Sequence, residues 1–107
     1  MAKRVQLSRA KGWRMPSDTV KVDRTTPLGN PFRVGVDGTQ ERCVELHAAL
    51  LCGLICLSCK ASLESQEAHR RAVMEARTTH KGKNLGCWCR MGTPCHVDNL
   101  LKVFNGR

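Results

Sequence analysis

At 107 residues with Lys and Arg outnumbering Asp and Glu by 18 to 9, the chain suits one compact domain (1–107) whose charge of +9 calls for an anionic partner. The longest apolar run, AALLCGLICL at 48–57, is far short of the roughly 20 residues that span a bilayer, and the charged start has no apolar leader after it. A cytoplasmic location, no membrane partner and reduced thiols are therefore expected. An odd cysteine count of seven argues against a full disulfide framework and turns attention to metal binding or thiol chemistry.

Residues 1–33 carry eight Lys or Arg against two Asp, so the basic face belongs to the N-terminal third. Residues 1–4 read as a frayed basic end and VQL at 5–7 as a short strand. The loop SRAKGWRMP follows, with Trp13 among Arg9, Lys11 and Arg14. An indole beside cations is a surface on which a base stacks while phosphate is held, and equally a ring that caps the core beneath solvated charges. TVKV at 19–22 predicts a second strand. In the loop DRTTPLGNPF, Gly29 permits close backbone approach and Asn30 can satisfy turn amides, either to present fixed donors to a ligand or to lead Phe32 into the core.

Thr39 predicts the N-cap of an apolar helix from Gln40 into the fifties, with Cys43, Leu46, Leu50, Leu54 and Leu57 on one stripe and Gly53 a point of bending or termination. Any part of the stripe near 43–57 left uncovered would be a homodimer surface. Cys56 and Cys59 stand at the wrong end of that helix for redox work and read as small apolar fillers or half a metal site. A second helix is predicted over 65–77, with Ala68, Ala72, Val73 and Ala76 inward and His69 on the surface.

The stretch NLGCWCRMGTPCHVDNLLKVF, residues 84–104, carries the densest chemistry. LGCWC predicts a buried strand whose alternation turns Cys87 and Cys89 the same way. Thr93 suits an N-cap and Pro94 the first position of a helix closed by Asn105 and Gly106, which places Cys95 in the first turn, where open amides favour a thiolate or a phosphate. Three outcomes stand open. Cys87, Cys89, Cys95 and His96 can bind one zinc ion, three thiolates and an imidazole being a common closed set. Alternatively, Cys87 or Cys95 is a nucleophile, with His96 as base and Asp98 orienting it or a substrate. In the third outcome the thiols only pack and His96 helps to cap the helix.

The segments RAKGWRMP, VKVDRTTPLGNPF and GKNLGCWCRMGTPCHVDNLL, in that order, resemble domain of unknown function 4326, a family of bacteria and their phages marked by GNPF and CWC segments. The resemblance implies a phage or mobile-element origin in a bacterial host cell, and attaches no activity. Its pattern falls on Arg9, Lys11, Gly12, Trp13 and Pro16, on Gly29 to Phe32, and on Cys87, Trp88, Cys89, Pro94, Cys95, His96 and Asp98. This chain departs in having Leu28 where an aromatic residue is expected.

These readings combine into a small α/β domain: a sheet from segments near Val5, Val20 and Leu85, flanked by about three helices near 40–57, 65–77 and 94–105. The leading expectation is a nucleotide- or nucleic-acid-binding protein, with phosphate near Arg9, Lys11 and the helix-start amides of 94–96. A zinc-stabilised module binding an acidic host protein, and a thiol- or zinc-dependent enzyme on a small nucleotide, are the alternatives.

Overall fold

The computed structural model describes residues 2–105. Met1, in the end predicted to fray, and Gly106, predicted to close the last helix, lie outside them. The chain forms a small α/β domain in the order β1 (Arg4–Gln6), β2 (Thr19–Lys21), α1 (Gln40–Leu51), α2 (Leu63–Ala76), β3 (Asn84–Cys87) and α3 (His96–Phe104). β3 is the central strand and pairs in parallel with β1 on one side and β2 on the other. Val5 sits opposite Gly86, and Val20 opposite Leu85. Pairing runs one residue past the outer strands, where the amides of Leu7 and Val22 donate to Cys87 and Gly86 at 2.8 and 2.9 Å.

Arg4 is not frayed. It opens β1, and its side chain is only 8% exposed.

Thr39 caps α1 as predicted, its side chain accepting from the Arg42 amide, but the helix stops at Leu51 instead of running into the fifties. Gly53 is the cause. It adopts φ +99, a left-handed conformation that glycine enters at no steric cost. Its amide donates to Leu50 and that of Leu54 to Ala49, a Schellman closure that spends the last carbonyls of the helix. The predicted stripe is thereby cut. Cys43, Leu46 and Leu50 are buried around Phe32, whereas Leu54 and Leu57 stand exposed in the following loop.

Cys56 and Cys59 in that loop are joined in a disulfide, not held apart as apolar fillers. Gln66, fully buried on α2, clamps the loop: its Oε1 accepts from the Cys56 amide and its Nε2 donates to the carbonyls of Cys56 and Ala61, each at 2.9 to 3.0 Å. The inner face of α2 is thus Gln66, His69 and Val73. His69, predicted on the surface, is 3% exposed because it meets His47 of α1 across the interface.

The larger core cluster joins Val22 and Leu85 of the sheet layer to Val97, Leu100 and Phe104 of α3. α3 begins at His96, two residues after the predicted start, with Cys95 in extended conformation as the N-cap. Pro94 has no N–H, so it supplies none of the amides expected at 94–96. No helix among the described residues is long and apolar enough to cross a membrane.

Candidate functional site

Because the three strands are parallel, their carboxyl ends share one edge, and the loops that follow them leave from the same side. Ligand crevices in open α/β sheets form at that edge. The RAKGW loop leaves β1 there, the DRTTPLGNPF loop leaves β2, and the cysteine turn leaves β3. A cleft of about 760 Å³ opens where the second and third meet, lined by Arg24, Asn30, Gln40, Trp88, Arg90 and the thiol cluster, among others.

Each wall is held by identifiable bonds. The Arg4 guanidinium donates to the carbonyls of Thr93 at 2.9 Å and Arg90 at 3.1 Å, so the first strand ties down the cysteine turn. Gln40, at the start of α1, donates from Nε2 to the Thr93 hydroxyl and the Pro94 carbonyl. In the opposite wall the Asn30 side chain accepts from the Phe32 amide and donates to the Cys43 carbonyl, which makes it a brace of the loop. Gly29 lies where any Cβ would fall 2.7 Å from Arg24 Cα and 2.8 Å from the Asp23 carbonyl carbon. Its place in the motif is therefore steric. The buried Asp23 carboxylate accepts from Trp88 Nε1 at 2.7 Å and from Thr25, joining the two walls. Burial alone would raise its pKa, but the bonds from Thr25 and Trp88, with Lys21 nearby, hold it below the usual carboxylate value.

Cys87 at the end of β3, Cys89 in the turn and Cys95 at the head of α3 bring their sulfurs within 4.8 Å of one another, forming a cluster that can hold a metal ion. The Cys87 and Cys95 sulfurs are 3.1 Å apart. Hydrogen bonds from the Cys87 and Cys95 thiols pull Cys89 down to about 2, against the opposing effect of burial and with help from His96 and Arg4. Cys87 is pushed up to about 11, chiefly by that bond to Cys89, and Cys95 is raised by its bonds to both partners. Within the trio these bonds favour the thiolate at Cys89 and the thiol at Cys87 and Cys95. A metal cation would displace the other two protons.

His96 stands beside this set and outside it. Its Nε2 donates to the carbonyls of Val22 at 3.0 Å and Leu28 at 3.2 Å, leaving Nδ1 as the bare nitrogen, 3.8 Å from the Cys95 sulfur. Burial, opposed by those carbonyls, lowers its pKa and keeps the ring neutral. The ring braces the β2 loop through Nε2, and its bare Nδ1 beside the Cys95 sulfur is the arrangement in which a histidine ligates a metal while its other nitrogen is held by backbone. Asp98 does not orient it: the Asp98 carboxylate faces outward and pairs with Arg4 at 3.3 Å.

The predicted anion-binding residues divide. Arg9 comes to the site, its guanidinium 4.9 Å from the centroid of the Trp88 ring. Lys11 and Trp13 are exposed and do not line the cleft. Its exposed aromatic ring is Trp88, with the buried Phe32 and His96 also in the lining. Arg4, Arg24, Gln40 and Arg90 were not singled out by their sequence pattern. For Arg24 and Arg90 a signal existed, since each lies within three residues of the carboxyl end of a strand.

The class is now defined: a small α/β domain with a parallel sheet and a three-thiol cluster in the cleft at its carboxyl edge. The chain belongs to the family described as domain of unknown function (DUF4326), whose sequence model matches residues 5–106. No curated protein and no solved structure matches it.

Proposed function

We propose that this protein binds a nucleotide or a segment of nucleic acid in the cleft at the sheet edge. The observation that carries the reading is the convergence of Arg24 and Arg90 with the Trp88 ring in one concave site beside the head of α3. Phosphate suits the Arg90 guanidinium and the remaining N–H groups of Arg24, whose terminal nitrogens also donate to the Asn30 and Phe32 carbonyls at 3.4 and 3.5 Å, and a base suits the indole face. Arg9, already against Trp88, adds a third cation at the rim. Fluorescently labelled nucleotides and single-stranded oligonucleotides, titrated across a salt series, test this. Affinity should fall steeply as salt rises, and Arg24→Ala with Arg90→Ala should flatten that dependence. Binding that ignores salt, or none at all, would end the proposal.

A second reading concerns the thiols: zinc at Cys87, Cys89 and Cys95. The sulfur spacing supports it, because three thiolates are a frequent zinc donor set. The fourth position would then belong to His96 Nδ1, which lies bare 3.8 Å from the Cys95 sulfur, or to water or a bound ligand. Metal analysis of the purified protein tests it.

A further inference from the structure

A second cleft, of about 670 Å³, lies on the other side of the GNPF loop. Arg24 and Asn30 line both clefts, so the two share a wall one loop thick. Beyond that wall the second cleft carries Arg33 and Lys60. Its one carboxylate, Asp37, is occupied: its oxygens accept from the backbone amides of Arg33 at 3.0 Å and Lys60 at 2.6 Å. The side chains of Arg33 and Lys60 take no part in those bonds. Both residues are exposed, and neither side chain has a salt-bridge partner among the described residues. Cations therefore continue from Arg90 through Arg24 to Arg33 and Lys60, the Asp37 carboxylate near Arg33 being the one negative charge in the second cleft.

A mononucleotide has no use for that continuation, because its phosphates are gathered at one end. A polymer presents phosphate at every step. We infer that the second cleft is a subsite for the phosphodiester backbone, so that the ligand is a single-stranded nucleic acid crossing the GNPF loop with phosphates in both clefts. This rests on the nucleotide reading of the first cleft and specifies its ligand class. Single strands suit it better than duplex because a chain bending over a one-loop wall must be flexible, and because Trp88 offers its ring to an unpaired base.

The test compares an adenosine or thymidine mononucleotide with a labelled oligothymidine of about eight nucleotides, in the wild type and in an Arg33→Ala, Lys60→Ala double variant. Both substitutions keep the backbone amides that bind Asp37, and an unchanged thermal melt confirms the fold. The expected result is mononucleotide affinity within twofold of the wild type, with octamer affinity lower by roughly tenfold. The slope of log affinity against log salt for the octamer should lose about 1.4, the share of two phosphate contacts on a single strand. If the wild type binds both ligands and the double variant binds the octamer equally well, the second subsite is overturned while the first cleft stands. If the wild type binds neither ligand, the nucleotide reading falls and this inference falls with it.

Discussion

The Nε2 atoms of His47 and His69 lie 2.8 Å apart in the core, sharing one proton between two buried rings. The neighbours fix which ring carries it. His69 Nδ1 meets the Pro27 carbonyl at 3.0 Å and must donate, so its Nε2 is bare. His47 donates to that nitrogen and in turn accepts at Nδ1 from Asn99 Nδ2 at 3.1 Å, which also donates to the Val44 carbonyl. A second proton would set two N–H groups face to face. The pair spans α1 and α2, and through Pro27 it holds the loop that forms the wall between the clefts.

Mild acid should therefore destabilise the protein. Burial lowers the His69 pKa from 6.5 to about 4, against the favourable pull of the Pro27 carbonyl, and lowers His47 well below 6.5. A depressed folded-state pKa means that the unfolded chain takes up protons first as pH drops. The contribution is whole above pH about 6.5 and is lost progressively as pH falls to about 4; for His69 it is on the order of 3 kcal/mol. Asp23 and Asp37 are both held below 3.8 by hydrogen bonds that outweigh burial, so their losses lie at lower pH. Urea midpoints measured between pH about 7 and 4.5 should fall, and His69→Gln should remove much of the slope. A midpoint constant across that window would contradict the proton-sharing pair.

Gly29→Ala should damage the loop by collision. An added Cβ would press on the backbone of Asp23 and Arg24, which cannot step aside as a side-chain tip can. Overpacking against fixed backbone typically costs 1–3 kcal/mol, so a fall of roughly 2 kcal/mol in unfolding free energy is expected. Because Asn30 is the next residue, ligand affinity should drop as well. Calorimetry and the oligonucleotide titration measure the two effects, and a variant unchanged in both would show that the loop yields more readily than its contacts imply.

The fold was largely readable because its signals are local. Thr39 capping α1, the alternation in TVKV and the apolar stripe of α3 each declare an element within a few residues. The cysteine trio was readable for the same reason, all three falling within nine positions. What escaped depends on distant partners. His69 looked like surface because nothing in its own helix marks it, and it becomes core only on meeting His47 and Pro27. That His96 is fixed through Nε2 by two carbonyls of the β2 loop, leaving Nδ1 bare beside Cys95, likewise depends on partners far away in sequence. The end of α1 turned on whether Gly53 bends or stops a helix, which its left-handed conformation decides.

Arg4→Ala should loosen the cysteine turn without touching a thiol. The guanidinium spans 86 to 94 positions of sequence to reach Arg90, Thr93 and Asp98. Removing a charged donor from carbonyls costs about 1.5–3 kcal/mol. Thermal stability should fall by that amount, and hydrogen exchange should quicken across residues 90–95. Arg4→Lys should restore part of the stability, since one ammonium cannot reproduce the fork that holds two carbonyls. Equal exchange in the wild type and Arg4→Ala would leave the turn self-supporting.

Zinc removal should separate the chemistry of the trio from its packing. If Cys87, Cys89 and Cys95 hold the ion, protein purified without chelator should contain about one zinc per chain, and each of the three Cys→Ser variants should lose it. Cys43→Ser and Cys52→Ser should keep it, because neither sulfur belongs to the cluster. A ligand bound only by the folded state adds about 2.7 kcal/mol at a hundredfold excess over its dissociation constant. Chelation should therefore lower the melting temperature of a domain this size by on the order of 10 °C, and added zinc should restore it. The alternative makes the opposite forecast. With no metal, the Cys89 thiolate rests on bonds from its two neighbours, so Cys89→Ser would disturb stability while zinc and chelator both leave the melting temperature unchanged. Mass spectrometry under native conditions and paired thermal melts decide between them, because only metal binding makes stability depend on the concentration of an ion.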